Sequence, residues 1–144
     1  MEIRIPGKPI AKMRPRFARR GKFVNPYTPK ETEESKFYML AREQIREKMA
    51  GPLKVLIYLR FKRPKSHYGT GKNANKLKPG APATYEHTSK PDVDNCAKFI
   101  LDCLNGLAWQ DDTQITSLQV TKMYSEYDET KIFIQAKMLN HRCC

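Results

Sequence analysis

LKVLIYLRF, residues 53 to 61, is apolar along almost its whole length, with Gly51-Pro52 before it and Arg63-Pro64 after it. A short run of this kind, rich in Leu, Val, Ile and aromatic residues and bounded by turn formers, reads as a strand covered on both faces. It is therefore placed at the centre of a sheet, and the rest of the chain is arranged around it. Upstream, Phe37, Leu40, Ala41, Ile45 and Met49 recur at helical spacing. Thr28 can cap this helix, Pro29 suits its first position, Glu31 can close a capping box, and Gly51-Pro52 stops it. Earlier still, EIRI (2–5) alternates polar and apolar as a short strand does, and Pro6, Gly7 and Pro9 end it.

Downstream, the 28 residues from Arg63 to Lys90 are full of Gly, Pro, Asn and Lys and form a long loop. Val93, Ala97, Ile100, Leu101, Leu104 and Leu107 then repeat at helical spacing, and Asn105-Gly106 is a good helix C-terminus. ITSLQVTKMY (115–124) and KIFIQAKML (131–139) read as two closing strands joined by the turn-like SEYDET. The order β-α-β-loop-α-β-β predicts an α+β fold, a mixed sheet of about four strands with two helices packed on it. Residues 1–144 read as a single domain, with basic loops near 6–27 and 63–90 and a short tail at 140–144.

Lys and Arg number 27 against 15 acids, a formal charge of +12. That excess favours a polyanion as partner, and nucleic acid is the commonest. A membrane surface is the weaker choice, because no strongly amphipathic basic helix is present. No run approaches the roughly 20 apolar residues that span a bilayer. MEIRIPGKPI lacks a signal-peptide core, so a cytoplasmic protein without membrane contact is expected. Nine of the first 30 residues are Lys or Arg, and the only acid among them is Glu2. In KPIAKMRPRFARRGKFVNP (8–26), Pro15, Gly21 and Pro26 enforce a loop or loose hairpin. Phe17 and Phe23 among its arginines suit stacking on bases. Cys96 and Cys103 are seven residues apart on the second helix, about 10 Å of rise and too far for a disulfide. The NHRCC tail with Cys143 and Cys144 offers no C-x-x-C pair for zinc, which leaves reduced thiols as the expectation.

Against this positive background, KPDVDNCAKFILDCLNGLAWQDD (90–112) carries acids at both ends of one apolar segment: Asp92 and Asp94, then Asp111 and Asp112. On an extended backbone Asp92 and Asp94 would share a face. Either could instead simply cap the helix. Lys98, one turn beyond Asp94, can form a surface ion pair with it or hold a phosphate beside a bound metal. The two acidic pairs meet only if the strand after the helix runs back past the helix start. If they meet, three or four carboxylates repel one another unless a cation sits among them. Oxygen donors with no nearby His or Cys pair select Mg²⁺, with Mn²⁺ as the alternative, and such an ion suits phosphodiester hydrolysis. The D-x-D lacks the preceding apolar strand of haloacid dehalogenase phosphatases. An EF-hand counted from Asp92 would need Gly and Glu where Ala97 and Cys103 stand. There is no P-loop and no G-x-S-x-G.

KPIAKMRPRF (8–17), HTSKPDVDNCAKFILDCLNGLAWQDDTQI (87–115) and the two closing strands together resemble the RusA-type Holliday junction resolvases of bacteria and their phages. The likeness runs to about Leu139. The specific part is D-x-D-N with a Lys four residues after the second Asp, then L-D-x-L-N-G and W-x-D-D-x-Q. The resemblance implies a Mg²⁺-dependent endonuclease that cuts four-way DNA junctions as a homodimer, by paired nicks, in recombination and repair. It puts metal binding on Asp92, Asp94 and Asp112, with Asp111 assisting, and a catalytic lysine on Lys98. The basic residue often found before the first Asp is displaced here, since Pro91 fills that place and Lys90 precedes it. Lys8, Lys12, Arg14, Arg16, Arg19, Arg20, Lys72, Lys76, Lys78 and Lys90 are the expected DNA-backbone contacts. Two other readings fit the same residues: a basic module that grips structured nucleic acid without cutting, and a nuclease of flaps, forks or RNA.

Overall fold

The computed structural model describes residues 1–12, 16–20, 23–27 and 31–137. Strand β1 (Glu2–Pro6) is followed by a hairpin of β2 (Arg16–Arg20) and β3 (Phe23–Tyr27), helix α1 (Glu31–Gln44) and strand β4 (Leu53–Lys62). The long loop leads to helix α2 (Val93–Leu104), strand β5 (Ile115–Ser125) and strand β6 (Glu129–Ala136). The main sheet has the order β1-β6-β4-β5, with β4 antiparallel to β6 and parallel to β5. The α+β class, the mixed four-stranded sheet and the inner position of β4 are as the sequence predicts. The 6–27 segment contains a true hairpin, β2 pairing with β3 through Ala18 opposite Asn25.

One face of the sheet is dry. Leu53, Val55, Ile57, Leu59 and Phe61 of β4 point to it with Ile3 and Ile5 of β1 and Ile132 and Ile134 of β6. Phe37 and Ala41 of α1 and Cys96, Phe99, Ile100 and Leu104 of α2 cover it. The helices meet through Phe37 and Phe99, edge to face with ring centroids 5.2 Å apart. Cys96 is buried and Cys103 half-buried on α2, and neither is in a disulfide. Burial, reinforced by Glu34 and Asp102, pushes the Cys103 thiol up to about 12.

Helix α1 ends at Gln44, more than a turn short of the expected Met49. Its apolar period continues through Ile45 and Met49, but other partners take the backbone there. The Gln44 amide accepts from Arg4 N at 2.8 Å and donates to Arg4 O at 2.7 Å, fixing the helix end to β1. Five residues on, Met49 N donates to Ala108 O at 2.8 Å, and Met49 O accepts from Gln114 Nε2 at 3.0 Å. Residues 45–51 are thus drawn out as a link between α1 and the corner after α2. The capping expected of Thr28 and Glu31 lies outside the described residues, as does the 140–144 tail with its cysteines.

That corner is built on Trp109, which is fully buried. Its indole N–H donates to Asp112 Oδ1 at 2.7 Å. Replacing Trp109 by Ala is expected to cost about 3–5 kcal/mol, the usual loss for emptying a core aromatic site. Trp109→Phe, which keeps a ring but strands the Asp112 oxygen, should cost less. Urea denaturation of both variants checks the order.

Candidate active site

Asp92 is the N-cap of α2, with extended backbone at φ −72° and ψ 146°, and its side chain makes no capping bond. Val93 is already helical, so the expectation that Asp92 and Asp94 alternate along a strand does not hold. Both carboxylates nonetheless stand at the end of α2 where free N–H groups and the helix dipole favour negative charge. Asp92, Asp94 and Lys98 are exposed, and none of their side chains has a hydrogen-bond or ion-pair partner among the described residues. The Asp94–Lys98 surface pair is not formed. Among the described residues neither carboxylate makes the capping bond that the sequence suggested.

Asp111 and Asp112 are differently placed, because both have structural work. Asp111 caps the single helical turn Asp112–Gln114, in a capping box with Gln114. It also accepts from Thr113 Oγ1 at 3.0 Å. Gln114 closes the corner, accepting from Gln110 N at 2.8 Å and donating to Met49 O and Gly51 O at 3.0 and 3.1 Å. The W-x-D-D-x-Q motif is thus a folded corner in which Trp109 orients Asp112 and Gln114 ties down the chain that follows α1. Asp112 keeps its second carboxylate oxygen for other partners.

Strand β5 does run back past the start of α2, as the meeting of the two acidic pairs required. What it brings there is Lys122, whose ammonium donates to Ser89 O at 2.6 Å and Pro91 O at 2.8 Å. Asp111 and Asp112 remain at the other end. From Asp94 to the close of α2 is about 15 Å of helical rise, and from Ile115 to Lys122 is about 23 Å of strand. Among the described residues no group of three or more His, Cys, Asp or Glu side chains gathers closely enough to hold a metal ion. Within one chain, the described residues form no such cage.

Among the described residues the expected DNA contacts divide into three groups. Lys8 and Lys90 are exposed and line one cleft of about 400 Å³ with Pro9, Ile10, Ala11, Glu33 and Pro91, against the start of α2. Lys72, Lys76 and Lys78 are exposed on the long loop, folded back through Gly69 N to Lys76 O at 3.0 Å and Lys78 N to His67 O at 2.9 Å. Lys12 has a different partner, a short ion pair with Asp102 of α2, which raises its pKa above the ordinary lysine range. Lys12 N also donates to Asn95 O at 3.0 Å, tying the basic arm to the first turn of α2. Arg14 and the side chains of Arg16, Arg19 and Arg20 lie outside the described residues.

Sequence reading missed the stack beneath this site. His87 is buried between Phe61 and Tyr124, with ring centroids 4.5 Å from each. Arg63 lies over the Tyr124 ring at 4.9 Å, and His67 meets its edge. Burial, and then the charge of Lys122, lower the His87 pKa, so this ring packs as a neutral imidazole. The long loop is pinned here at both ends. No helix among the described residues is long and apolar enough to cross a membrane.

Comparison with known proteins places these features in context. The family model described as endodeoxyribonuclease RusA matches residues 6–135, from the end of β1 to the last strand. A curated Bacillus subtilis (strain 168) protein, "Uncharacterized protein YqaN", is 33% identical over 132 residues, covering 90% of this chain and 91% of that protein.

Proposed function

The chain belongs to the RusA endodeoxyribonuclease family, and from that premise we propose that it resolves four-way DNA junctions as a homodimer, by paired symmetric nicks, in recombination and repair. The observation that carries this reading is the exposed trio of Asp92, Asp94 and Lys98 at the head of α2, without side-chain partners among the described residues and beside the Lys8–Lys90 cleft. Two carboxylates and an ammonium stand open to solvent there, where a phosphodiester and a cation can both approach.

The metal site of this reading is shared. Asp92 and Asp94 supply two carboxylates, and Asp112, with Asp111 assisting, would come from a second subunit whose α2 runs antiparallel across a two-fold axis. A two-fold operation brings residues from opposite ends of the same element together twice, giving two matched sites. A four-way junction offers two opposed strands to such a pair. The donors are hard oxygens, which suits Mg²⁺ or Mn²⁺; an ion held there would supply Lewis-acid polarisation of the phosphate and a more acidic water. Lys98 binds the scissile phosphate and offsets the charge that grows on it during reaction. Lys8, Lys90 and the loop lysines hold the flanking backbone without reading sequence.

Incubating a synthetic four-way junction with the protein tests this. Symmetric paired nicks are expected with Mg²⁺ and none with excess chelator, and linear duplex should be cut far less. A junction bound yet uncut in both Mg²⁺ and Mn²⁺ would leave only a basic binding module. Preferred cutting of flaps or forks would move the substrate but keep the chemistry.

A further inference from the structure

Strand β5 departs from its own pattern at Lys122. In the parallel pairing with β4, Val120 and Lys122 stand opposite Ile57 and Leu59, both of which face the core. Val120 and Tyr124 keep the apolar alternation on that side, Leu118 continues it into solvent at the sheet edge, and Lys122 interrupts it. A half-buried ammonium at an inward position is costly unless its protons are used. Two of them are, by the carbonyls of Ser89 and Pro91, and Pro91 is the residue before Asp92. The same stretch is fastened twice more, by Tyr124 N donating to Thr84 O at 2.8 Å and by His87 wedged between Phe61 and Tyr124.

We propose that Lys122 is a positioning residue for the reaction: its ammonium clamps residues 89–91 to the sheet edge and so fixes where Asp92 and Asp94 stand. The nuclease reading enters only through the effect on cleavage, because the clamp can be measured without DNA or metal. An apolar residue would suit the inward side of β5 better than Lys for stability alone. Lys122→Met is therefore expected to fold, while the freed carbonyls turn to water and the 84–95 segment loosens.

Hydrogen exchange of the unliganded protein is the first measurement. In Lys122→Met, amides of residues 84–95 should exchange about tenfold faster, with those of β4 and β6 unchanged. In single-turnover cleavage the same variant should be slower by about 100-fold, the usual cost of displacing a catalytic group by an ångström, with junction affinity in the absence of metal within about twofold of wild type. Lys122→Arg, which keeps the charge and the donors, should recover most of the rate. Unchanged exchange at 84–95 overturns the proposal whatever happens to cleavage, and so does a variant that cuts at the wild-type rate. A variant that loses binding and rate equally, or that Arg fails to rescue, also overturns it. If the Met variant does not fold, Lys122→Gln, a donor without the charge, takes its place in the same comparisons. A wild-type protein that cuts nothing would sink the nuclease reading, and the exchange result would still decide the clamp.

Discussion

Asp94→Asn should slow junction cleavage by at least about 10³-fold while junction affinity stays equal or rises. A carboxylate that helps hold the catalytic ion contributes several kcal/mol to the transition state, and each 1.4 kcal/mol is about a tenfold change in rate. Nothing in the fold depends on its charge. Asp94 is exposed in the first turn of α2, without a side-chain partner among the described residues. Removing it costs about 0.3–1 kcal/mol of helix-dipole stabilisation, so the variant should melt within a few degrees of wild type. Affinity should not fall, because a negative charge facing the phosphates is gone. Loss of binding together with cleavage in a folded variant would make Asp94 part of the DNA grip instead. The measurements are single-turnover rates and metal-free junction titrations on the same preparation.

The contrast between the two acidic pairs explains how much of this site could be read in advance. The central strand was legible because Leu53 to Phe61 leave no polar face. Helix α2 was legible because its apolar residues repeat cleanly up to Asn105-Gly106. The end of α1 was not, since Ile45 and Met49 continue a helical period whose backbone is claimed by Ala108 and Gln114, partners far along the chain. The Asp92–Asp94 pair was singled out from its residues but given the wrong local geometry, because the helix begins between them. Asp112 was singled out too, but spacing along a chain does not tell which end of a helix a later residue lies beside. Its bond to Trp109 depends on a corner that only the fold creates. Lys122 did leave a trace in the sequence. It is the one charge among Leu118, Val120 and Tyr124 in an otherwise apolar alternation, and such a break in a local rule is a common sign of a functional position.

The comparison that bears most on the shared site pairs two inactive proteins. Asp94→Asn removes a carboxylate at the head of α2, and Asp112→Asn removes one at its foot while keeping an acceptor for the Trp109 N–H. Each homodimer should be inert. A heterodimer of the two has one doubly damaged site and one intact site if the acids of each site come from different subunits. Co-expressed, the pair should then nick junctions on one strand, at about a quarter of the wild-type number of sites, since half of randomly mixed dimers are heterodimers with one site each. Single nicks from the mixture, absent from either variant alone, are the predicted result. A mixture proven to contain heterodimer that cuts nothing would mean that all the carboxylates act within one chain, and the antiparallel, shared cage would be wrong.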